Sequence, residues 1–482
     1  MPLVPMKAIL DATETYNYAQ GAFNVNAVCQ AKAVIEVHEM FRSAAILQGA
    51  DLANAFMGGR TDFANGTLED KKIGAQNIAN AVKKYAEHSP IPVALHLDHG
   101  KSFEACEAAI AGGYTSVMID GSSLSFEENV ELTREVVKYA HERGVTVEGE
   151  LGVLAGVEDH VFAASSTYTN PMDAVKFFRQ TGVDALAISY GTKHGANKGA
   201  NTVIRREIAI ATKECMLHEG IEGTLVSHGS STVPQYIVSE INALGGDIHD
   251  AYGIKIEQLK EVSKLGIRKI NVDTDIRLAV TRNLRELFKN EPALQGSASI
   301  GGIYELLVKN PSAFDPRVFF PPIMDTVMYG NVPDEDVARI VDCIERGVKE
   351  VVGTLIVEFD SVGKAPLIKP VSLDEMAEYY RKKGICHGHE YSDRPRRRSH
   401  GGHQLLPAGG GGGGPGLPGR GQDLRRPVRG GGHFGRGPDR LNGRPGGNDF
   451  QAAGHPRLRH RLLPAETGRE RLSHGFGNAE KV

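Results

Sequence analysis

The sequence predicts an α/β protein whose strands close into a (β/α)8 TIM barrel. Three observations predict it. Between about residues 20 and 280, eight short apolar runs alternate with longer amphipathic stretches, as strand–helix repeats do. Each run is four to seven residues long and stops at Gly, Asp, Ser or Asn, the pattern of parallel strands buried on both faces. Eight such units fill roughly 250 residues, the usual size of this barrel. The rival, an open doubly wound sheet, wants a glycine-rich turn after its first strand, and "GAFNVNAVCQ" offers none.

In chain order the strand candidates are "GAFNVNA", "AAILQGA", "PVALHLD", "SVMIDGS", "TVEGELG", "ALAISYG", "TLVSHGS" and "RKINVDT". Between the fourth and fifth, "SFEENVELTREVVKYAHERG" sets Phe126, Val130, Val137 and Ala140 near helical spacing and stops at Gly144. Between the fifth and sixth, "NPMDAVKFFRQTG" has an Asn-Pro start and a Gly stop. Past the barrel, "APLIKPVSLDEMAEYYRKKGI" reads as a short helical extension that packs on the barrel or at an oligomer interface. The expected divisions are a barrel over 1–363, the extension over 364–386 and a low-complexity tail over 387–482.

Net charge, −4 overall, hides two regions. Residues 391–482 carry 17 Lys and Arg, 16 of them Arg, against 7 Asp and Glu, leaving 38 against 52 in the body. The same tail holds 23 of the 57 glycines. With no periodicity and few apolar residues it cannot offset its ordering entropy, so disorder is expected. It reads as an unselected extension, with one alternative: arginine and glycine around Phe434 as a disordered RNA-binding segment. No other nucleic-acid partner is expected.

The five cysteines (Cys29, Cys106, Cys215, Cys343, Cys386) are scattered without a CxxC pair, which argues against a disulfide framework. The start, "MPLVPMKAILDATETYNYAQ", lacks a basic region followed by an apolar run. No apolar span approaches the ~20 residues of a membrane helix. A soluble cytoplasmic protein is expected, with no membrane partner.

The ends of the runs carry the function. Asn24 and Asn26, Asp98 and His99, Asp120, Glu150, His194, His228, and Asn271 with Asp273 stand at successive strand ends, which a barrel brings to one face. Turn chemistry does not explain them, because histidine and glutamate are not favoured turn residues. His99, His194 and His228, one from each of three strand ends, match a catalytic zinc site with an open fourth position. Asp98 can face a substrate if Gly100 lets the chain turn after His99, and is then suited to proton transfer; orienting an imidazole is its alternative role. His96, deeper in the barrel, reads as a buried hydrogen-bonded residue. His38, His88, His141, His218 and His249 receive no role.

Two turns suit phosphate. "SHGSST" offers the amides of Gly229 and Ser231, and "NVDTD" puts Asp273 and Thr274 at a helix start, both potential anion sites after the last two strands. Lys198 in "HGANKG" adds charge; ordinary capping is the alternative. A metal polarising a ketone, a carboxylate moving a proton and anchored phosphates together describe retro-aldol cleavage of a phosphorylated ketose.

At these residues the chain resembles the metal-dependent class II fructose-bisphosphate aldolases: "HLDHG", "SVMIDGS", "VEGELGVLAGVED", "GTKHGANKG", "SHGSS", "INVDTD" and "FDPR" follow that family's order over roughly residues 3–363. The resemblance implies reversible, zinc-dependent cleavage of fructose 1,6-bisphosphate to dihydroxyacetone phosphate and glyceraldehyde 3-phosphate, in a homodimer or homotetramer. It implies that Asp98 is the catalytic acid/base and that His99, His194 and His228 hold zinc. Asp120 and Glu150 resemble the acidic pair at a second or displaced divalent-metal position. Asn24, Gly195, Lys198, Gly229, Ser231, Asp273 and Thr274 fall with the substrate and first phosphate, which a monovalent cation accompanies, and Asn271 with the enediolate. Arg317 resembles the arginine that reaches into the neighbouring subunit for the second phosphate. Glu158 and Asp159 fall on the mobile loop whose acidic residue assists proton transfer.

The chain departs from the pattern at "LQGADLAN", where many relatives read Leu-Gln-Ala-Ser-Arg-Gly, so that Ala50 and Asp51 replace a hydroxyl and a cation. Asn197 stands where an aromatic is usual. Tagatose- or sedoheptulose-bisphosphate cleavage, a zinc hydrolase and a non-catalytic barrel are the alternatives these changes leave open.

Overall fold

In a computed structural model the described residues are 3–384, without 155, 159–160 and 164–166; at 156–158 and 161–163 only the backbone is described. The predicted tail, 387–482, lies outside them.

All eight predicted strands form, and they close into a parallel barrel. Five precede a short hairpin: β1 (Gln20–Asn24), β2 (Ala45–Ala50), β3 (Val93–Gly100), β4 (Ser116–Ile119) and β5 (Thr146–Leu151). The hairpin, antiparallel and not anticipated from the sequence, is β6 (Gly156–Glu158) with β7 (Val161–Ala163). Then come β8 (Ala185–Ile188), β9 (Thr224–Ser227) and β10 (Ile267–Val272). The barrel order is β1-β10-β9-β8-β5-β4-β3-β2, closed on itself.

Closure makes two cores. Outward strand residues such as Leu47, Leu95, Val117 and Ile270 pack under the surrounding helices. Inward residues are small or thin: Ala22, Ile46, Ala94, Met118, Ala185, Ala187 and Val226 pack with Met6, Ile9 and Leu10 of the first helix, Met6–Tyr16. That helix packs against β1, β3, β9 and β10, filling the N-terminal end of the barrel and leaving the other mouth for the site.

Both predicted helices form. The helix Phe126–His141 starts at a capping box of Ser125 and Glu128, not anticipated from the sequence, and ends three residues before the expected Gly144. Asn170 accepts from the amides of Met172 and Asp173 to start Pro171–Thr181, which ends at left-handed Gly182. The C-terminal extension forms the helix Leu373–Lys383 and packs on the barrel. Its Tyr380 stacks on His141 at 3.6 Å between ring centroids and donates to Asp184 Oδ2 at 2.9 Å. Among the described residues no helix is long and apolar enough to cross a membrane.

Candidate active site

Period-two alternation decides which strand residues face the barrel axis. Asn24, Asp98, Asp120, Glu150, His228 and Asn271 share the inward parity of Ala22, Ala94, Met118, Glu148, Val226 and Lys269 on their own strands, so they end at one mouth. His99 has the wrong parity. It enters the cluster because its own backbone is left-handed (φ 52°) and the β3–β4 register shifts between Leu97 and Gly100, a bulge that re-aims a side chain. This corrects the expectation that Gly100 makes the turn. Gly100 is needed for space: a Cβ there would lie 2.6 Å from Met118 O and 2.8 Å from Leu97 Cδ2.

The mouth gathers the predicted ligands. Nε2 of His99 lies 3.0 Å from Nδ1 of His228, and the edge of the His194 ring meets His99 with centroids 5.1 Å apart. Nδ1 of His99 lies 3.0 Å from Asp120 Oδ2 and 3.7 Å from Glu150 Oε2. Asp98, His99 and His228 bring ligand atoms within 4.8 Å of one another, as do His99, Asp120 and Glu150. His194 belongs to neither group and meets the cluster through its ring contact.

Burial opposes charge on His99, but Asp98, the Asp120 hydrogen bond and Glu150 outweigh it and push its pKa up to about 10. Burial likewise opposes charge on Asp120, yet His99 and Lys101 hold it well below the usual carboxylate range. Burial and the Asp120 charge push Glu150 well above that range. With a proton on both nitrogens, His99 donates to Asp120 and to His228.

A divalent metal fits these donors. Two imidazole nitrogens converge at 3.0 Å, close to the ~3.3 Å edge of a tetrahedron with ~2.0–2.1 Å metal–nitrogen bonds. Buried Glu150 Oε2 has no hydrogen-bond partner among the described residues. An ion between the rings would replace the His99 Nε2 proton.

Asp98 is held as an acceptor. Its Oδ2 accepts from Asn24 Nδ2 at 2.9 Å and its Oδ1 from Asn271 Nδ2 at 3.1 Å. Asn24 Oδ1 in turn accepts from Gln48 at 2.9 Å. Asn24, Asp98, His99, His228, Gly229, Ser231, Asn271 and Asp273 line one cleft.

The predicted phosphate turns lie beside this cleft, and capping is visible in them. Ser231 Oγ accepts from the amides of Asp273 (3.4 Å) and Thr274 (3.2 Å), at the start of the helix Thr274–Asn290. Lys198 Nζ donates to the carbonyls of Lys193 (2.6 Å) and Gly195 (2.7 Å), bracing the loop that carries His194. Gly229 abuts the same loop, where a Cβ would lie 2.5 Å from Lys193 O.

In this single chain the Arg317 side chain is buried, donates to Asp315 Oδ2 at 2.7 Å and lies 4.3 Å over the Phe63 ring. Asp315 also pairs with Arg277, which pairs with Asp273 at the cleft, so alternating charges run from Arg317 to the site. Asp51 is neutralised by Lys71 at 2.5 Å. Asn197 sits on a loop bridged to Tyr252 by the backbone bonds Lys198 N to Tyr252 O and Tyr252 N to Ala196 O, both 2.9 Å. Glu158 is described only as backbone of β6, and Asp159 lies outside the described residues.

Sequence reasoning missed Lys101, which pairs with Asp120, and Gln48 behind Asn24. It also missed Glu148 and Lys269, one inward position below Glu150 and Asn271. Continuing the same alternation one step down each strand would have found this pair. His96 is buried with Nδ1 2.8 Å from Ser116 Oγ, the hydrogen-bonded role expected.

Comparison with known proteins agrees with this architecture. Residues 4–364 match the family described as fructose-bisphosphate aldolase class-II. A fructose-bisphosphate aldolase of Xanthobacter flavus is 36% identical over 400 residues, covering 79% of this chain and 97% of its own. One of Giardia intestinalis is 34% identical over 383 residues, covering 79% and 100%. Among solved structures, the fructose-bisphosphate aldolase of Campylobacter jejuni superposes with TM-score 0.53 over 75% of this chain and 97% of its own, at 20% identity. The YdjI aldolase of Escherichia coli K12 gives TM-score 0.51 over 75% and 99%, at 24%. These two likenesses speak to the fold alone. With the family match spanning the whole barrel and the polar cluster at its mouth, the chain belongs to the class-II fructose-bisphosphate aldolases, which are carbon–carbon lyases.

Proposed function

We propose that this aldolase cleaves fructose 1,6-bisphosphate reversibly into dihydroxyacetone phosphate and glyceraldehyde 3-phosphate, depends on zinc, and works as a cytoplasmic homo-oligomer. The observation that carries the reading is the convergence of Asp98, His99 and His228 in one buried cleft, with Asp98 fixed between two asparagine amides.

His99, His194 and His228 would hold the ion, and Asp120 and Glu150 a second or displaced position. Bound there, zinc would act as a Lewis acid on the ketone oxygen. Asp98, held as an acceptor, takes the proton of the hydroxyl that becomes a carbonyl as the carbon–carbon bond breaks. Asn271, whose amide nitrogen lies beside Asp98 Oδ1, would steady the charge developing on the ketone half. Gly195, Gly229, Ser231, Asp273 and Thr274 receive the first phosphate with a monovalent cation, while Lys198 braces their loops. Arg317 would meet the second phosphate across a subunit interface. Either Glu158 or Asp159 returns a proton to the ketone half.

A coupled assay on the purified chain tests this with fructose, tagatose and sedoheptulose bisphosphates, before and after a chelator. Fructose 1,6-bisphosphate should turn over fastest, stop with chelation and recover with zinc. Turnover that survives complete metal removal overturns the mechanism, and a preference for another ketose overturns the substrate.

A further inference from the structure

Beneath the cleft lie two charges to which the proposed chemistry gives no step. Lys269 on β10 and Glu148 on β5 project into the barrel, both fully buried, with Nζ and Oε2 3.0 Å apart. A buried ion pair is a poor way to fill a core, since apolar residues of similar volume are often as stable or more so. What the pair touches accounts for its presence. Glu148 Oε1 lies 2.7 Å from Nε2 of His228, and Lys269 Nζ donates to Oδ1 of Asn271 at 2.7 Å.

Neither contact can be reversed, because an ammonium has only donors and an ionised carboxylate only acceptors. The Asn271 oxygen must therefore face Lys269, which turns its NH2 group toward Asp98 Oδ1 at 3.1 Å. Nε2 of His228 must carry hydrogen, which leaves its Nδ1 lone pair facing Nε2 of His99 at 3.0 Å.

We propose that Lys269 and Glu148 are positioning residues of the aldol site: together they set which nitrogen of His228 meets the metal and which end of Asn271 meets the substrate. Because one salt bridge serves both, metal binding and turnover share a single support. The inference rests on the aldolase reading above and deepens it.

The test uses the full chain and the variants E148Q and E148Q/K269M. K269M alone strands a buried carboxylate and can fail to fold; the double variant removes both charges at nearly constant volume. Three quantities are read: the zinc dissociation constant against a chelating dye, kcat and KM separately, and the ligating atom of His228 in a zinc-loaded crystal structure of the unmodified chain. The expected results are ligation through Nδ1, zinc binding about 10–100-fold weaker in both variants, and in the double variant a kcat that falls more than KM changes. Ligation through Nε2 overturns the proposal. So does a folded double variant whose zinc affinity and kcat stay within about threefold of the unmodified chain, since the pair would then be core filling. If the double variant does not fold, the ligating atom still decides. A chain that binds zinc as expected but cleaves no ketose bisphosphate refutes the aldolase reading and leaves the positioning of His228 standing.

Discussion

Replacing Asp98 by Asn isolates proton transfer from folding and metal binding. The carboxylate accepts two amide hydrogens, from Asn24 at 2.9 Å and Asn271 at 3.1 Å. An asparagine has one acceptor oxygen, so whichever way its amide lies, one neighbour faces a donor instead. Leaving one buried donor without an acceptor costs ~1–3 kcal/mol, which a chain with this barrel core should survive. The catalytic loss is larger, because an amide cannot take a proton. Losing a positioned acid/base group lowers kcat by ~10²–10⁴, a rise of ~3–5 kcal/mol in the activation barrier at 1.36 kcal/mol per tenfold. The assay is coupled turnover of fructose 1,6-bisphosphate, with zinc content and thermal midpoint measured on the same sample. Zinc should stay bound through the histidines, and KM should stay within about threefold, as the phosphate turns are untouched. A kcat within threefold of the parent refutes the reasoning. Zinc lost together with activity also refutes it, since Asp98 would then be a ligand and not the proton carrier.

Two further outcomes follow from the geometry around the site and beneath it. Gly100→Ala drives a Cβ to 2.6 Å from Met118 O where β3 bulges; chemical unfolding should show a loss of ~1–3 kcal/mol, and turnover should fall as His99 is displaced. Stability and kcat both unchanged would show that the bulge is not packed as described. Asp184 accepts from His141, Tyr380 and the Val147 amide. Burial raises its pKa, but His141, Lys7 and these hydrogen bonds outweigh burial and hold it below the ordinary carboxylate value. Its contribution is therefore present above the unfolded value of ~3.9 and is lost as pH falls through the folded value. Asp184→Asn should cost ~1–3 kcal/mol near neutral pH, and urea unfolding should show the gap to the parent closing as pH drops below about 4. A gap that does not change with pH would refute this account.

Strand identity was readable because a parallel strand covered on both faces must be apolar along its length and must end where the chain meets water. That is why "PVALHLD" and "RKINVDT" announced β3 and β10. Helix limits were readable where one residue's chemistry marks them, as the Asn170 side chain at the start and the left-handed Gly182 backbone at the end of Pro171–Thr181 do. Three features were not readable. The hairpin of β6 and β7 is too short to show a period. The first helix was not assigned from the sequence, and only the closed barrel supplies the end it fills. The surroundings of Arg317 are set by the fold, which places Asp315 and Phe63 around it.

By itself the sequence determined the order of strands and helices that a barrel needs and the polar residues at the strand ends, because each depends on neighbours within a few residues. Only the tertiary structure decided which atoms face one another: that His99 turns inward on a left-handed backbone, that His228 presents Nδ1, and that Lys269 and Glu148 sit beneath them. Those relations join β3, β5, β9 and β10, strands that lie far apart in the chain and come within hydrogen-bonding distance only when the sheet closes.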